Sequence, residues 1–225
     1  MPTRAQRARI QQLAAALHEA YGPQHWWPAE TRFEVLLGAI LTQNTAWTNV
    51  EKALTQLRSE VALEPESILT MTHETLGQAI RSAGYFNQKA ARVLGFCTWF
   101  MARGGFAALD QTDTERLRVE LLALHGIGPE TADDMLLYAF DRPVFVVDAY
   151  THRLLQRYLK SPPPQDYETV RSWVETSFAE LSESERVRTF NELHGQIVQH
   201  AKIVCHKRNP DCGSCSLQKD CHQRL

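Results

Sequence analysis

Apolar residues recur along most of this chain at spacings of three and four, the period of a helix with one buried face. Ile10, Leu13, Ala14, Leu17 and Tyr21 form the first stripe, with Arg4, Arg7 and Arg9 on polar positions. Phe33, Leu36, Leu37, Ile40 and Leu41 form a second, and Val50, Leu54 and Leu57 a third. Leu76, Ile80 and Ala83 run to Gly84, which is placed to end a helix as its C′ glycine. Ala90, Val93, Leu94, Cys97 and Met101 end at Gly104-Gly105; Leu117, Leu121 and Leu124 end at Gly126, and Ala132, Met135, Leu136 and Ala139 follow at once. After Asp148 come Tyr150, Leu154, Leu155 and Tyr158, a Pro-rich break at Ser161–Pro164, and then Val170, Trp173, Val174 and Phe178. The last stripe is Val187, Phe190, Leu193, His194, Ile197, Val198 and Ala201. Only Val144–Val147 looks like a strand, and a lone strand cannot pair, so it is expected to be a buried extended connector. The class is all-α, with the turn at Asp141-Arg142-Pro143 as the best domain boundary.

A chain of 225 residues with 44% apolar and 22% charged residues is ordinary for a globular protein of one or two domains and excludes disorder as the dominant state. Lys and Arg number 24 against 26 Asp and Glu, a net charge of −2, so any nucleic-acid contact must use a local basic surface. No apolar run approaches the ~20 residues of a membrane span, and Met1–Gly22 reads as an amphipathic helix rather than a secretion signal. The default expectation is a cytoplasmic protein.

Leu124-His125-Gly126-Ile127-Gly128-Pro129-Glu130-Thr131-Ala132 joins two helices by a glycine hairpin, with Pro129 at the first turn of the second, where a missing N–H costs nothing. Gly126 and Gly128 permit positive φ and close approach to the backbone. The amides and the positive helix end make an anion site, suited to a DNA phosphate held without reading sequence. A plain helix–helix turn would favour glycine too.

Four of the five cysteines lie in the last 21 residues, as Cys205-x6-Cys212-x2-Cys215-x5-Cys221. Such a cluster is a poor disulfide framework and reads as metal ligation. Four thiolates suit a [4Fe–4S] cube. Zinc would accept four as well, but zinc ribbons separate their ligands into two distant knuckles, which this spacing does not. The intervening His206, Lys207 and Arg208, with Lys202, Lys219 and Arg224, supply the local basic surface. Asp148 follows the buried run Val146-Val147 and precedes a helix, so it is expected to be an N-cap, a rigidly placed carboxylate. His194 reads as a core histidine and Cys97 as an inert buried thiol.

The hairpin Leu124–Ala132, then Val147-Asp148, then the four-cysteine loop resemble the endonuclease III group of helix-hairpin-helix DNA glycosylases. Leu36–Thr45 and Ala83–Ala90 are similar to family segments too, so the resemblance covers nearly the whole chain. It implies a six-helix domain at 30–143 containing the helix-hairpin-helix at about 117–140, and a discontinuous domain of 1–29 plus 144–225 carrying the cluster loop 205–221. A DNA cleft would lie between them, with Asp148 as catalytic carboxylate. The bifunctional members have a lysine where this chain has Glu130, and a carboxylate cannot form the imine that leads to strand cleavage. The resemblance therefore implies a monofunctional enzyme in which Asp148 helps water displace the base, with no reason to bring Lys89 or Lys202 into that role.

Trp26-Trp27-Pro28 and Trp47 narrow the substrate. Adjacent tryptophans in a connector cannot easily both face one core, and a flipped base needs aromatic stacking. A cationic alkylated purine gains cation–π attraction as well. Together with Gly-x-Gly-Pro-Glu-Thr-Ala, these residues are similar to a branch that excises 3-methyladenine. That branch implies Trp26, Trp27, Pro28 and Trp47 as pocket walls and Glu130 as a polar pocket residue. Gln43 and Tyr85 match the family's wedge positions; Gly126, Ile127, Gly128, Thr131, Lys207 and Arg208 would contact the DNA backbone. The expected protein is a monomer acting on damaged double-stranded DNA, nucleoid-associated when bound. The rival readings are an endonuclease III-type glycosylase and lyase for oxidised pyrimidines, or a non-catalytic iron–sulfur DNA-binding protein.

Overall fold

The computed structural model describes residues 1–223. Arg224, expected in the basic surface, lies outside the described residues. The helices in order are α1 (Arg4–Tyr21), α2 (Arg32–Leu41), α3 (Trp47–Glu60), α4 (Pro65–Ile68), α5 (His73–Ala79), α6 (Phe86–Ala102), α7 (Gly105–Leu109), α8 (Thr114–Leu122), α9 (Pro129–Ala139), α10 (Ala149–Tyr158), α11 (Tyr167–Ser177) and α12 (Glu183–Ile203). Among the described residues no strand forms, and no helix is long and apolar enough to cross a membrane. The chain divides into two compact units, Ala29–Phe140, and Met1–Pro28 together with the chain from Asp141 onward.

In the Ala29–Phe140 unit, α2 is buried from Phe33 to Leu41. A helix apolar all round belongs at the centre, and α2 contacts α3, α6 and α9. Lys89 of α6 is 1% exposed, yet its Nζ donates to Leu41 O and Ala83 O, both at 2.8 Å. It satisfies carbonyls left over at two helical ends. Burial, with the Arg92 charge, pulls its ammonium down to about 8. Arg118 of α8 grips Asp133 of α9 through Nε–Oδ1 at 2.7 Å and Nη2–Oδ2 at 3.1 Å, and Asp133 is fully buried.

In the other unit, α12 contacts α1 and α10, and α1 contacts α11. α1 begins at a capping box, Thr3 with Gln6, and buries Ile10, Leu13 and Leu17. Val144–Val147 is buried without being a strand. Two of its backbone donors are met by side chains of α11: Phe145 N donates to Glu175 Oε1 at 3.0 Å and Val147 N to Tyr167 OH at 3.4 Å, while Val144 N donates to Arg142 O at 2.8 Å.

Three helical details depart from the periodicity. The stripe Leu76–Ala83 breaks into α5 and a 3-10 turn at Arg81–Ala83, α8 stops at Leu122 short of Leu124, and α4 and α7 carry no stripe. Helices of four or five residues are too short to show one.

Candidate functional site

Asp148 stands at the end of the buried connector and caps α10, its Oδ1 accepting from Thr151 N at 2.7 Å. Its Oδ2 lies 3.7 Å from His194 Nε2, and its side chain is largely buried, with 12% of its surface exposed. Burial pushes this carboxyl up, but His194 beside it and the Thr151 N–H and hydroxyl outweigh that and hold it below its ordinary value. A carboxylate at a helix N-terminus is favoured by the dipole as well.

The same imidazole meets the Trp26 ring edge-on, centroids 6.4 Å apart. Trp26 lies over Gly195: a Cβ on Gly195 would come within 2.9 Å of the Trp26 Cβ. Lys202, one helical stretch further, places Nζ 5.5 Å from the Trp26 ring centroid. Nothing local to Lys202 brings it here; its place on α12 does so. His25 (φ 47°) and Trp27 (φ 73°) hold left-handed backbone, which costs about 1–3 kcal/mol each for such residues. Trp27 is half-buried and Pro28 exposed. Asp148 and Trp26 thus share one unit and one histidine, while His194 was legible only as a core residue. Trp47 opens α3 in the other unit, half-buried, its Nε1 donating to Glu51 Oε1 at 3.1 Å.

The hairpin forms between α8 and α9. Gly126 takes φ +80°, and a Cβ there would lie 2.2 Å from Arg92 Nε, so the close approach it admits is by Arg92 rather than by a ligand. Gly128 does not use positive φ: it is the extended N-cap of α9, φ −94° and ψ 177°, with open space where a Cβ would stand. Ile127 is buried and its amide already donates to Leu124 O at 3.1 Å, so it is not a bare amide. Thr131 is buried too, its Oγ1 accepting from Gln43 Nε2 at 2.9 Å. Gln43 Nε2 also donates to Gly126 O at 3.0 Å, and Arg92 Nη1 donates to Gln43 Oε1. In this state Gln43 braces the hairpin. Glu130 is exposed in the first turn of α9. Tyr85 is 65% exposed with φ +46° at the N-cap of α6, an aromatic ring held outward on strained backbone.

The four C-terminal cysteines line one pocket with His200 and Arg157. Arg157 Nη1 donates to Cys205 Sγ at 3.2 Å and to His206 O at 2.8 Å, and Nη2 to Lys207 O at 3.2 Å. His200, fully buried and pulled down by burial to about 4, accepts or donates at Nδ1 with Tyr21 OH at 2.8 Å and faces Cys215 Sγ at 3.8 Å. Burial, and then the neighbouring thiols, push Cys215 and Cys221 up. Crowded sulfurs that raise one another are relieved by a cation that binds thiolates. Among the described residues, however, no three Cys, His, Asp or Glu side chains are arranged to hold a metal ion. The donor set fits four-thiolate chemistry; a ready-made metal geometry is not present. Lys207, Arg208 and Lys219 are exposed on this loop. Cys97 is fully buried, its thiol pushed by burial to about 12.

Residues 37–179 match the family described as HhH-GPD superfamily base excision DNA repair protein. The chain is 40% identical over 215 residues to a candidate DNA repair glycosylase of Methanocaldococcus jannaschii, covering 94% of this chain and 95% of the relative. It is 28% identical over 218 residues to an endonuclease III of Thermotoga maritima, covering 94% and 92%. The structure of an H. pylori 3-methyladenine DNA glycosylase bound to 1,N6-ethenoadenine is similar with a TM-score of 0.75 and 29% identity, over 86% of this chain and 97% of that one.

Proposed function

Because the chain belongs to the HhH-GPD superfamily of base excision DNA repair proteins, we propose that it is a monofunctional DNA glycosylase that everts damaged bases, alkylated purines such as 3-methyladenine first among them, and excises them with water. The observation that carries this reading is Asp148: a capping carboxylate, held charged, partly open, at the end of a buried connector. Asp148 orients the water and takes its proton while the new C1′–O bond forms and the base leaves with the electrons of the C1′–N bond. Its charge also stabilises the cationic sugar as that bond breaks.

The substrate preference rests on the aromatic residues and on Glu130. Trp26, Trp27 and Pro28 would give the base an aromatic wall, where a cationic purine gains stacking and cation–π energy. Tyr85 and Gln43 would fill the gap in the duplex, Gln43 on leaving its bonds to the hairpin. The start of α9 at Gly128 would face phosphates, as would the loop carrying Lys207 and Arg208, while Glu130, where bifunctional members carry lysine, would offer the base a polar contact and no imine-forming amine; Gly126, Ile127 and Thr131 would shape the hairpin from beneath. Cys205, Cys212, Cys215 and Cys221 would hold a [4Fe–4S] cluster that stiffens this loop; the cluster supplies no step in base release. Double-stranded DNA is the proposed partner.

A second reading has one observation behind it. Lys202 brings an amine to the Trp26 ring, and an amine near C1′ is what an endonuclease III-type lyase requires. The test is incubation with methylated, oxidised and deaminated duplex DNA, chromatography of the released bases, and a gel of the same DNA. Free methylated purine without nicking supports the proposal. Oxidised pyrimidine release with nicking and a borohydride-trapped adduct supports the lyase.

A further inference from the structure

His194 lies on the apolar stripe of α12 and is 5% exposed. An imidazole on such a face commonly settles against backbone. Here its Nε2 faces Asp148 Oδ2 at 3.7 Å. The other carboxylate oxygen is already fixed, since Thr151 N–H donates to Oδ1 at 2.7 Å. One oxygen is thus held by the helix that Asp148 caps and the other is addressed from a different helix. A carboxylate has no proton to give, so a ring nitrogen that bonds it must carry N–H.

Two aromatic rings flank the imidazole as well. Trp26 meets it edge-on from the extended segment and Phe145 from the connector, each with centroids 6.4 Å away. Of Asp148, Trp26 and Phe145, Asp148 is the titratable one. Lys202 stands over the Trp26 ring, its Nζ 5.5 Å from the centroid. Gly195, next in sequence, has no side chain just where Trp26 comes closest. The dipeptide His194-Gly195 therefore seats Trp26 with one residue's ring and the other's empty space.

We infer that His194 is a positioning residue for base excision: Nε2–H anchors Oδ2 of Asp148 while the same ring seats Trp26, so that one imidazole sets the carboxylate and the base-stacking wall in register. The inference rests on the reading of Asp148 as the catalytic carboxylate. The 3.7 Å separation is longer than a hydrogen bond. Catalytic contacts are often loose in the free enzyme and tighten in the substrate complex, and here a movement of under ~1 Å suffices. The consequence is a histidine that acts through Asp148 and never touches the sugar.

The experiment compares wild type with His194→Leu, His194→Gln and Asp148→Asn. The measurements are single-turnover excision at saturating enzyme, affinity for lesion-containing duplex, and an NMR pH titration of the Asp148 carboxyl. His194→Leu is expected to slow excision about 10²-fold, the order lost when a catalytic group is misplaced by an ångström. His194→Gln, whose amide reaches the Nε2 position, should recover most of that loss. The Asp148 carboxyl should titrate at higher pH in the Leu variant than in wild type. Should the Leu variant melt below assay temperature, His194→Asn, with its amide at the Nδ1 position, takes its place as the inactive comparison. Excision at the wild-type rate in the Leu variant, or a Gln variant no better than Leu or Asn, overturns the inference. Wild-type excision by Asp148→Asn overturns the reading of Asp148 beneath it as well, so the two failures are told apart.

Discussion

Each oxygen of Asp148 has a separate neighbour, Thr151 N for one and His194 for the other. Replacing the carboxylate by an amide keeps the cap and removes the charge, so Asp148→Asn is expected to retain folding and DNA affinity while losing about 10²–10⁴ in excision rate. The carboxyl is held below its ordinary 3.8. Its charge, and so excision, should persist as pH falls to that value and fail only below it; an acid limb set by this group near neutrality would contradict the account. The sign for stability is the same. A depressed folded value contributes stability that is present above the unfolded value and lost as pH falls through the folded one. Sequence made Asp148 legible because an apolar run followed by Asp and a helix is a local signal. His194 was not, because a histidine on a stripe looks alike whether it faces backbone or a carboxylate. The meeting of α12 with the cap of α10 decides which.

At the scale of elements, α8 and α9 are clamped by the buried Arg118–Asp133 pair, Asp133 having no exposed surface. Arg118→Met removes two charge-assisted bonds from that buried carboxylate and should destabilise by about 1.5–3 kcal/mol, read as a fall in melting temperature. Near-native stability would show that Asp133 is otherwise compensated. On α12, Gly195→Ala puts a Cβ 2.9 Å from that of Trp26. Neither atom is the end of a flexible chain, so Trp26 must shift at a cost of about 1–3 kcal/mol. Affinity for lesion DNA should fall more than affinity for undamaged DNA, and an equal fall in both would remove Trp26 from the pocket. The long helices were legible because each has a full apolar stripe. The bracing of the hairpin was not: Gln43 comes from the turn after α2, Arg92 from α6 and Thr131 from α9, and nothing local to Gln43 says that its amide points inward.

At the scale of the whole molecule, local periodicity marks where stripes break but not which stripes share a core, so the joining of the N-terminal helix to the C-terminal third is a tertiary fact. The cysteine loop is the reverse case: its spacing is local, and the four residues do share one pocket with Arg157 and His200. The protein purified without oxygen should carry about four irons per chain, and stoichiometric zinc would replace the cluster assignment. With a net charge of −2, DNA affinity must come from a local patch. It should fall steeply with salt, and Lys207→Ala should reduce the salt slope by about one. The most direct measurement of the central claim is single-turnover release of free 3-methyladenine from methylated duplex, with wild type and Asp148→Asn side by side at matched DNA occupancy. The account predicts base release by wild type without strand nicking and its near-complete loss in the variant. Equal release by both, or release coupled to a borohydride-trapped adduct, would contradict it.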